Sequence, residues 1–242
     1  MSIRLHEIGT YALRNYVLET PAGLIAIDTG YPGGFERFAS RLQRIAPLSD
    51  LKFVFLTHAH DDHAGFLQDV LDRCDAQVVL SPLAVPVLER GENAVVEGAG
   101  YSSRIASLFG VFKKDFSFPP VQVGDRALFV RDERDQVFEQ RGLPLRIVLL
   151  PGHTPCSIGL YLTDSNELLC GDAAMNAVIS VAKHTIWIDD KKAFQASWDK
   201  IIGMDVERIY PAHGNPFPAK ELARHRRFLD NRTLIPMEAH HG

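Results

Sequence analysis

The sequence predicts a mixed α/β fold. Short apolar runs that end at glycine, proline, histidine or aspartate alternate with longer stretches in which apolar residues recur at helical spacing. The run at 24–27 stops at Asp28-Thr29-Gly30 and is typical of a buried strand, and the apolar residues at 35, 38, 39, 42 and 45 are typical of an amphipathic helix. The same reasoning predicts further strands at 53–56, 77–80, 145–150, 158–162, 167–170 and 208–210, and a helix at 220–228.

The bulk composition indicates a globular protein. The chain has 242 residues, of which 46% are hydrophobic and 23% charged, and it contains no Gly/Pro/Ser-rich linker, no repeat and no low-complexity tract. We therefore expect a single domain over residues 1–242. No apolar run approaches the roughly 20 residues that span a bilayer, and the N-terminus lacks the apolar stretch of a secretory signal. We expect a cytoplasmic protein that does not associate with membranes.

Charge and cysteine content disfavour some functional classes. Lys and Arg total 26 against 30 for Asp and Glu, a formal net charge of -4, so nucleic acid is not an expected partner. Cys74, Cys156 and Cys170 form no Cys-x-x-Cys pair, and neither a disulfide framework nor a thiolate zinc finger is indicated.

Three of the ten histidines stand close together after the strand predicted at 53–56. The segment 57–65 reads Thr-His-Ala-His-Asp-Asp-His-Ala-Gly. In extended backbone, residues two apart project to the same side, so His58 and His60 can converge on one point. After a turn, Asp62 and His63 can face a second point. Imidazole and carboxylate groups suit zinc, and they also suit iron or manganese.

Three further polar residues each follow a predicted strand. His153 comes after Pro151-Gly152, Asp172 after Gly171, and His213 after Pro211-Ala212. Ligands in layered α/β folds collect at the carboxyl ends of strands, so these side chains are expected to join the first cluster. Alone, each would be interpreted as an ordinary turn residue.

A ligating imidazole needs its other ring nitrogen anchored. Asp28, Thr57 and Thr154 are the candidates for this supporting role, and Asp61 either orients a ligand histidine or lies in solvent.

The segment 89–120 alternates glycines with aromatic residues. This pattern fits a lid or substrate-pocket insert for a small-molecule substrate, and Tyr101, Phe109 and Phe112 are its candidate substrate contacts. The same aromatics could instead pack a satellite core or form a homodimer contact.

Five segments together resemble the signature of the metallo-β-lactamase-like superfamily, namely Asp28-Thr29-Gly30, Thr57 to Gly65, Pro151-Gly152-His153-Thr154, Gly171-Asp172 and Ala212-His213-Gly214. The resemblance runs from about residue 14 to residue 217. It implies an αββα four-layer sandwich with two divalent metal ions. His58, His60 and His153 would hold the first ion, Asp62, His63 and His213 the second, and Asp172 would bridge them.

The resemblance also implies a metal-dependent hydrolase. A hydroxide made available by the two ions would attack an ester, thioester, lactone or related bond, and Asp62 could deliver a proton to the leaving group. After Asp172, Lys183 and His184 could bind an anionic substrate, as residues in the similar region of glyoxalase II do. A mononuclear iron persulfide dioxygenase of the same fold is the alternative, and a phosphodiesterase or nuclease is less favoured.

Overall fold

The computed structural model describes residues 3–107 and 115–236. The strands are β1 (Arg4–Glu7), β2 (Tyr16–Thr20), β3 (Gly23–Ile27), β4 (Leu51–Phe55), β5 (Gln77–Leu80), β6 (Gly100–Tyr101), β7 (Ala127–Phe129), β8 (Leu145–Leu149), β9 (Ile158–Leu162), β10 (Glu167–Gly171), β11 (Trp187–Ile188), β12 (Arg208–Pro211) and β13 (Phe217–Pro218). The main helices are α1 (Phe35–Leu42), α2 (Asp61–Ala64), α3 (Leu67–Arg73), α4 (Val85–Arg90), α5 (Lys191–Gly203) and α6 (Lys220–Asp230).

Two large sheets form the centre of the protein. The first has six strands in the order β1-β2-β3-β4-β5-β7, and the second has five in the order β13-β12-β10-β9-β8. Strands β3, β4, β5 and β7 run parallel to one another, which the helical connections between them require.

Three apolar cores separate four layers. Between the sheets, Phe55 and Ile25 of the first sheet share a core with Leu160 of the second. On the outer face of the first sheet lie the apolar sides of α1, α3 and α4, including Phe38. On the outer face of the second sheet lie α5 and α6, with Trp198 completely buried. This helix–sheet–sheet–helix arrangement confirms the predicted αββα sandwich.

The sheet topology determines where the strand ends meet. In the second sheet, β8 and β10 both run antiparallel to β9, and β10 runs parallel to β12. The carboxyl ends of β8, β10 and β12 therefore lie at the same end of that sheet. Residues that follow these three strands are brought close together whatever their separation in sequence.

The described part of the segment 89–120 packs against the body of the protein. Strand β6 pairs with β11 in a two-stranded ribbon, and Phe118 is buried in the outer core beside the first sheet. Tyr101 and Phe118 are buried and act as packing residues here. Phe109 and Phe112 lie outside the described residues.

The longest of the helices bounded above, α5, has 13 residues, and a helix needs about 20 to cross a bilayer. Within residues 3–107 and 115–236, no helix is both long and apolar enough to span a membrane.

Candidate metal centre

The seven predicted ligand residues come together at one end of the sandwich. The loop after β4 carries His58 and His60, and the short helix α2 carries Asp62 and His63. The other three follow β8, β10 and β12. The ligand atoms form three groups within 4.8 Å, composed of His58, His60 and His153; His58, His63 and Asp172; and Asp62, His63 and His213.

The first group has the dimensions of a tetrahedral metal site. Nε2 of His153 lies 3.1 Å from Nε2 of His58 and 3.1 Å from Nδ1 of His60. Zinc–nitrogen bonds of about 2.0–2.1 Å in tetrahedral geometry place ligand nitrogens roughly 3.3 Å apart. The three nitrogens thus surround a point at the spacing that a cation requires.

Asp172 lies between the two ends of the cluster. Its Oδ2 is 3.7 Å from Nε2 of His153, whereas its Oδ1 is 3.5 Å from Nε2 of His213 and 3.8 Å from Nε2 of His63. Asp62 closes the second group, with Oδ2 at 3.3 Å from Nε2 of His213. One carboxylate therefore faces both groups of nitrogens, which is the arrangement of a bridging ligand.

Two atoms of the cluster are buried without a hydrogen-bond partner among the described residues. They are Nε2 of His63 and Oδ1 of Asp172. An unsatisfied buried polar atom costs about 1–3 kcal/mol, so an arrangement of this kind is stabilised by a group that binds both atoms. The donor set of imidazoles and carboxylates fits a divalent metal ion.

Asp28 anchors the segment 57–65, called the metal loop, through its carboxylate. It accepts hydrogen bonds from the Thr57 backbone N–H (2.6 Å), the Thr57 hydroxyl (2.8 Å) and Nδ1 of His63 (2.8 Å). To do so it adopts a left-handed backbone conformation, with φ of 58°, which a non-glycine residue retains only when its surroundings impose it. The bond to His63 leaves Nε2 of that ring directed at the cluster.

Backbone carbonyls anchor two other ligand rings. Nδ1 of His153 donates to the carbonyl of Trp187 (2.8 Å), and Nδ1 of His213 donates to the carbonyl of Ala12. Because a carbonyl can only accept, both rings direct an N–H from Nδ1 at it and direct Nε2 into the cluster. Sequence patterns did not reveal these anchors, since any residue type can supply a carbonyl.

The charges of the cluster shift the pKa values of its histidines in opposite directions. Burial and the neighbouring imidazoles hold the pKa of His58 well below its usual range. Burial alone would also lower the pKa of His63, but Asp62 and Asp28 raise it to about 10. In the same way, Asp172 and Asp62 outweigh burial at His213 and raise its pKa to about 9. A metal ion that binds here must displace protons.

Thr154 does not have the supporting role that was expected of it, and Asp61 does not lie in solvent. The hydroxyl of Thr154 bonds to Ser157 (2.8 Å) and lies near the Cys156 sulfur, so it stabilises the turn after β8 and does not anchor a ligand ring. Asp61 is buried rather than solvated. Its backbone N–H donates to Asn93 Oδ1 (2.8 Å), and Asn93 Nδ2 donates back to its carboxylate (2.9 Å).

The candidate substrate contacts divide into two sets. Tyr101 is buried and packs edge-to-face on Trp187 at 4.9 Å, and the Trp187 carbonyl anchors His153, so Tyr101 lies beside the metal centre. Lys183 instead bonds to Asn176 (2.6 Å) and pairs with Glu221 (3.1 Å).

His184 is completely buried and packs edge-to-face on Trp198 at 5.1 Å. A buried ring cannot meet an anion from solvent, so the expected substrate contact of His184 is not available in this conformation.

Tyr31 is a residue of the site that sequence reasoning missed. It directly follows Asp28-Thr29-Gly30, and its side chain hydrogen bonds to Asp62. Its position next to that motif was the available signal.

A four-layer αββα sandwich with a histidine and aspartate cluster at the strand ends defines a class of metal-binding proteins. The sequence model of the metallo-beta-lactamase superfamily matches residues 14–213. This chain belongs to the metallo-beta-lactamase superfamily, as its motifs predicted.

Several curated relatives share about a quarter of their residues with this chain. A "Beta-lactamase-like protein 2 homolog" of Caenorhabditis elegans is 24% identical over 86% of this chain and 59% of its own length. The "Probable metallo-hydrolase YflN" of Bacillus subtilis is 23% identical over 94% and 90%. The "Thioesterase pkgB" of Emericella nidulans is 26% identical over 83% and 45%. The chain spans 59% of the length of the worm relative and 45% of the length of the Emericella relative.

Solved structures show the same fold. A metallo-beta-lactamase of Cronobacter sakazakii with a HARLDQ motif superposes with a TM-score of 0.64 at 17% identity, covering 94% of this chain and 88% of that one. A protein solved in a di-iron-bound form superposes with a TM-score of 0.63 at 24% identity, covering 93% and 99%.

Proposed function

We propose that this chain is a dinuclear metal-dependent hydrolase that cleaves an acyl bond in an ester, thioester or lactone. The observation that carries the proposal is the position of Asp172, whose two oxygens face separate groups of ligand nitrogens. Two divalent ions in such a site supply Lewis acidity and a water molecule that ionises near neutral pH. We favour zinc, with iron or manganese as alternatives, because imidazole and carboxylate ligands suit all three.

The residues of this chain would divide the remaining work. His58, His60 and His153 would hold one ion, and His63 and His213 would hold the other together with Asp62. The Asp62 side chain is 15% exposed and that of Asp172 is 6% exposed. Asp62 is therefore the carboxylate that reaches the substrate side, and we assign to it the delivery of a proton to the leaving group.

Acyl substrates are favoured over other classes by two observations. The formal net charge of -4 gives no general attraction for a polyanionic nucleic acid. Among the relatives, one is named a thioesterase, and several carry lactamase-like names.

Free Cys74, Cys156 and Cys170 are compatible with a reducing compartment, and we propose the cytoplasm as the location.

The test combines metal analysis with a substrate screen on one sample. The purified protein is loaded with zinc, its metal content is measured by mass spectrometry, and thioesters, lactones, phosphodiesters and β-lactams are assayed. We expect two ions per chain and turnover of an acyl substrate. One iron per chain in the purified protein, with oxygen uptake on glutathione persulfide, would overturn the proposal in favour of a dioxygenase.

A pair of variants tests the bridge itself. Replacing Asp172 by Ala should reduce the metal content below two ions per chain and abolish turnover, since each ion loses a ligand. Asp164→Ala makes the same substitution at an exposed residue between β9 and β10 and should change neither. An unchanged metal stoichiometry in Asp172→Ala would contradict the dinuclear assignment.

A further inference from the structure

The turn that carries Tyr31 is locked onto the metal loop. Both the backbone N–H and the hydroxyl of Thr29 donate to the carbonyl of His63, each at 2.7 Å. Two residues later the chain reverses, with the Gly34 N–H donating to the Tyr31 carbonyl at 3.0 Å. Tyr31 is thereby fixed relative to the ligands of the second metal position.

Gly65 allows the turn at 28–34 to approach the metal loop closely. A Cβ atom at Gly65 would lie 2.5 Å from the Gly30 carbonyl oxygen and 2.5 Å from Cδ of Pro32, far inside van der Waals contact. Only glycine lets the 28–34 turn pack against the end of the metal loop, so the position of Tyr31 is built into both segments.

The Tyr31 side chain is exposed and directed at the cluster at the same time. The residue is 41% exposed, yet its phenol hydrogen bonds to Asp62, and Asp61 and Asp172 also act on it electrostatically. A phenol O–H can donate one hydrogen bond, and the exposed part of this side chain is accessible from solvent.

We propose that Tyr31 is a catalytic residue of this site, whose phenol O–H donates a hydrogen bond to an acyl oxygen of the substrate beside Asp62. This inference rests on the proposed acyl hydrolysis. Charge develops on an acyl oxygen during attack by water, and a preorganised donor stabilises that charge more than it stabilises the ground state. A fixed backbone, a phenol beside Asp62 and an exposed face give Tyr31 the properties of such a donor.

The decisive variant is Tyr31→Phe, which keeps the ring and removes only the hydroxyl. Tyr161→Phe is the matched control, because its hydroxyl bonds to Asn166 and the Asp205 carbonyl at the end of β9 away from the metal loop. On the acyl substrate found in the screen, we expect kcat of Tyr31→Phe to fall about 100-fold, as with the loss of one oxyanion donor. Metal content should stay at the wild-type value, and Tyr161→Phe should keep the wild-type kcat.

A binding measurement separates this inference from the proposed function. Phenylacetate, a carboxylate of the product class, is titrated into the zinc-loaded proteins by calorimetry, and its affinity should be about tenfold weaker for Tyr31→Phe. If the wild type cleaves no acyl substrate but phenylacetate binding still depends on the hydroxyl, the proposed function fails and the role of Tyr31 as a ligand-binding donor stands. If Tyr31→Phe keeps kcat within twofold, or binds phenylacetate as the wild type does, the inference is overturned.

Discussion

His184 should make the stability of the protein fall as the solution becomes acidic. Its ring is completely buried against Trp198. Burial, with the nearby charges of Arg232 and His225, lowers its pKa from 6.5 to about 3. The folded protein therefore holds this ring neutral at a pH where the unfolded chain protonates it.

The sign and size of the effect follow from proton linkage. Below pH 6.5 the unfolded state binds a proton at His184 that the folded state does not bind, so lowering the pH favours unfolding until the folded-state pKa near 3 is reached. Each pH unit in this window costs about 1.4 kcal/mol. Between pH 7.5 and 5.0, the contribution of this one residue is about 2 kcal/mol.

The assay compares urea unfolding of wild type, His184→Phe and His184→Gln at pH 7.5 and 5.0. Other histidines also titrate, and the comparison removes their shared contribution. We expect both variants to lose about 2 kcal/mol less than the wild type on acidification. If all three proteins lose the same free energy of unfolding between the two pH values, His184 does not stay neutral in the folded protein and the reasoning is refuted.

Two further predictions concern the support of the metal loop. Asp28→Ala removes the acceptor of three buried hydrogen bonds, and it should weaken metal affinity about 10- to 100-fold in a chelator competition; an affinity equal to that of Asp164→Ala would contradict the anchoring role. Asn93→Ala removes both bonds to Asp61 and should speed amide hydrogen exchange in 61–65, while the exposed control Asn231→Ala should leave this exchange unchanged. Equal exchange in the two variants would show that the segment 89–120 does not support the loop.

The sequence predicted the main part of the fold because its central strands are continuous apolar runs that end at polar turns. Strands β3, β4, β8 and β10 lie within one or two residues of the predicted bounds. Strand β2 was missed, since Tyr-Val-Leu-Glu-Thr mixes apolar and polar residues over only five positions. Its pairing with β3 through a tight turn depends on the tertiary fold more than on local pattern.

The candidate site was predictable to the extent that its residues follow strands. Every side chain of the seven-residue cluster stands just beyond a strand end or in α2, where layered sheets bring polar residues together. The partners of that cluster were not predictable in the same way. Nothing local marks the Trp187 or Ala12 carbonyl as an anchor, and Asn93 reaches Asp61 from a segment some thirty residues away. The burial of His184 was not predictable for the same reason, because it depends on α5.

The distribution of ligands between the two sheets determines when, during folding, each metal site becomes complete. His58 to His63 follow a strand of the first sheet, whereas His153, Asp172 and His213 follow strands of the second. On the proposed ligation, a nascent chain that has folded only its first sheet offers an incomplete site for either ion. The site of the first ion is complete once β10 has added Asp172, and that of the second once β12 has added His213. The ions would then bind late in folding, after both sheets have formed. A zinc finger differs, because its metal organises the chain from the start.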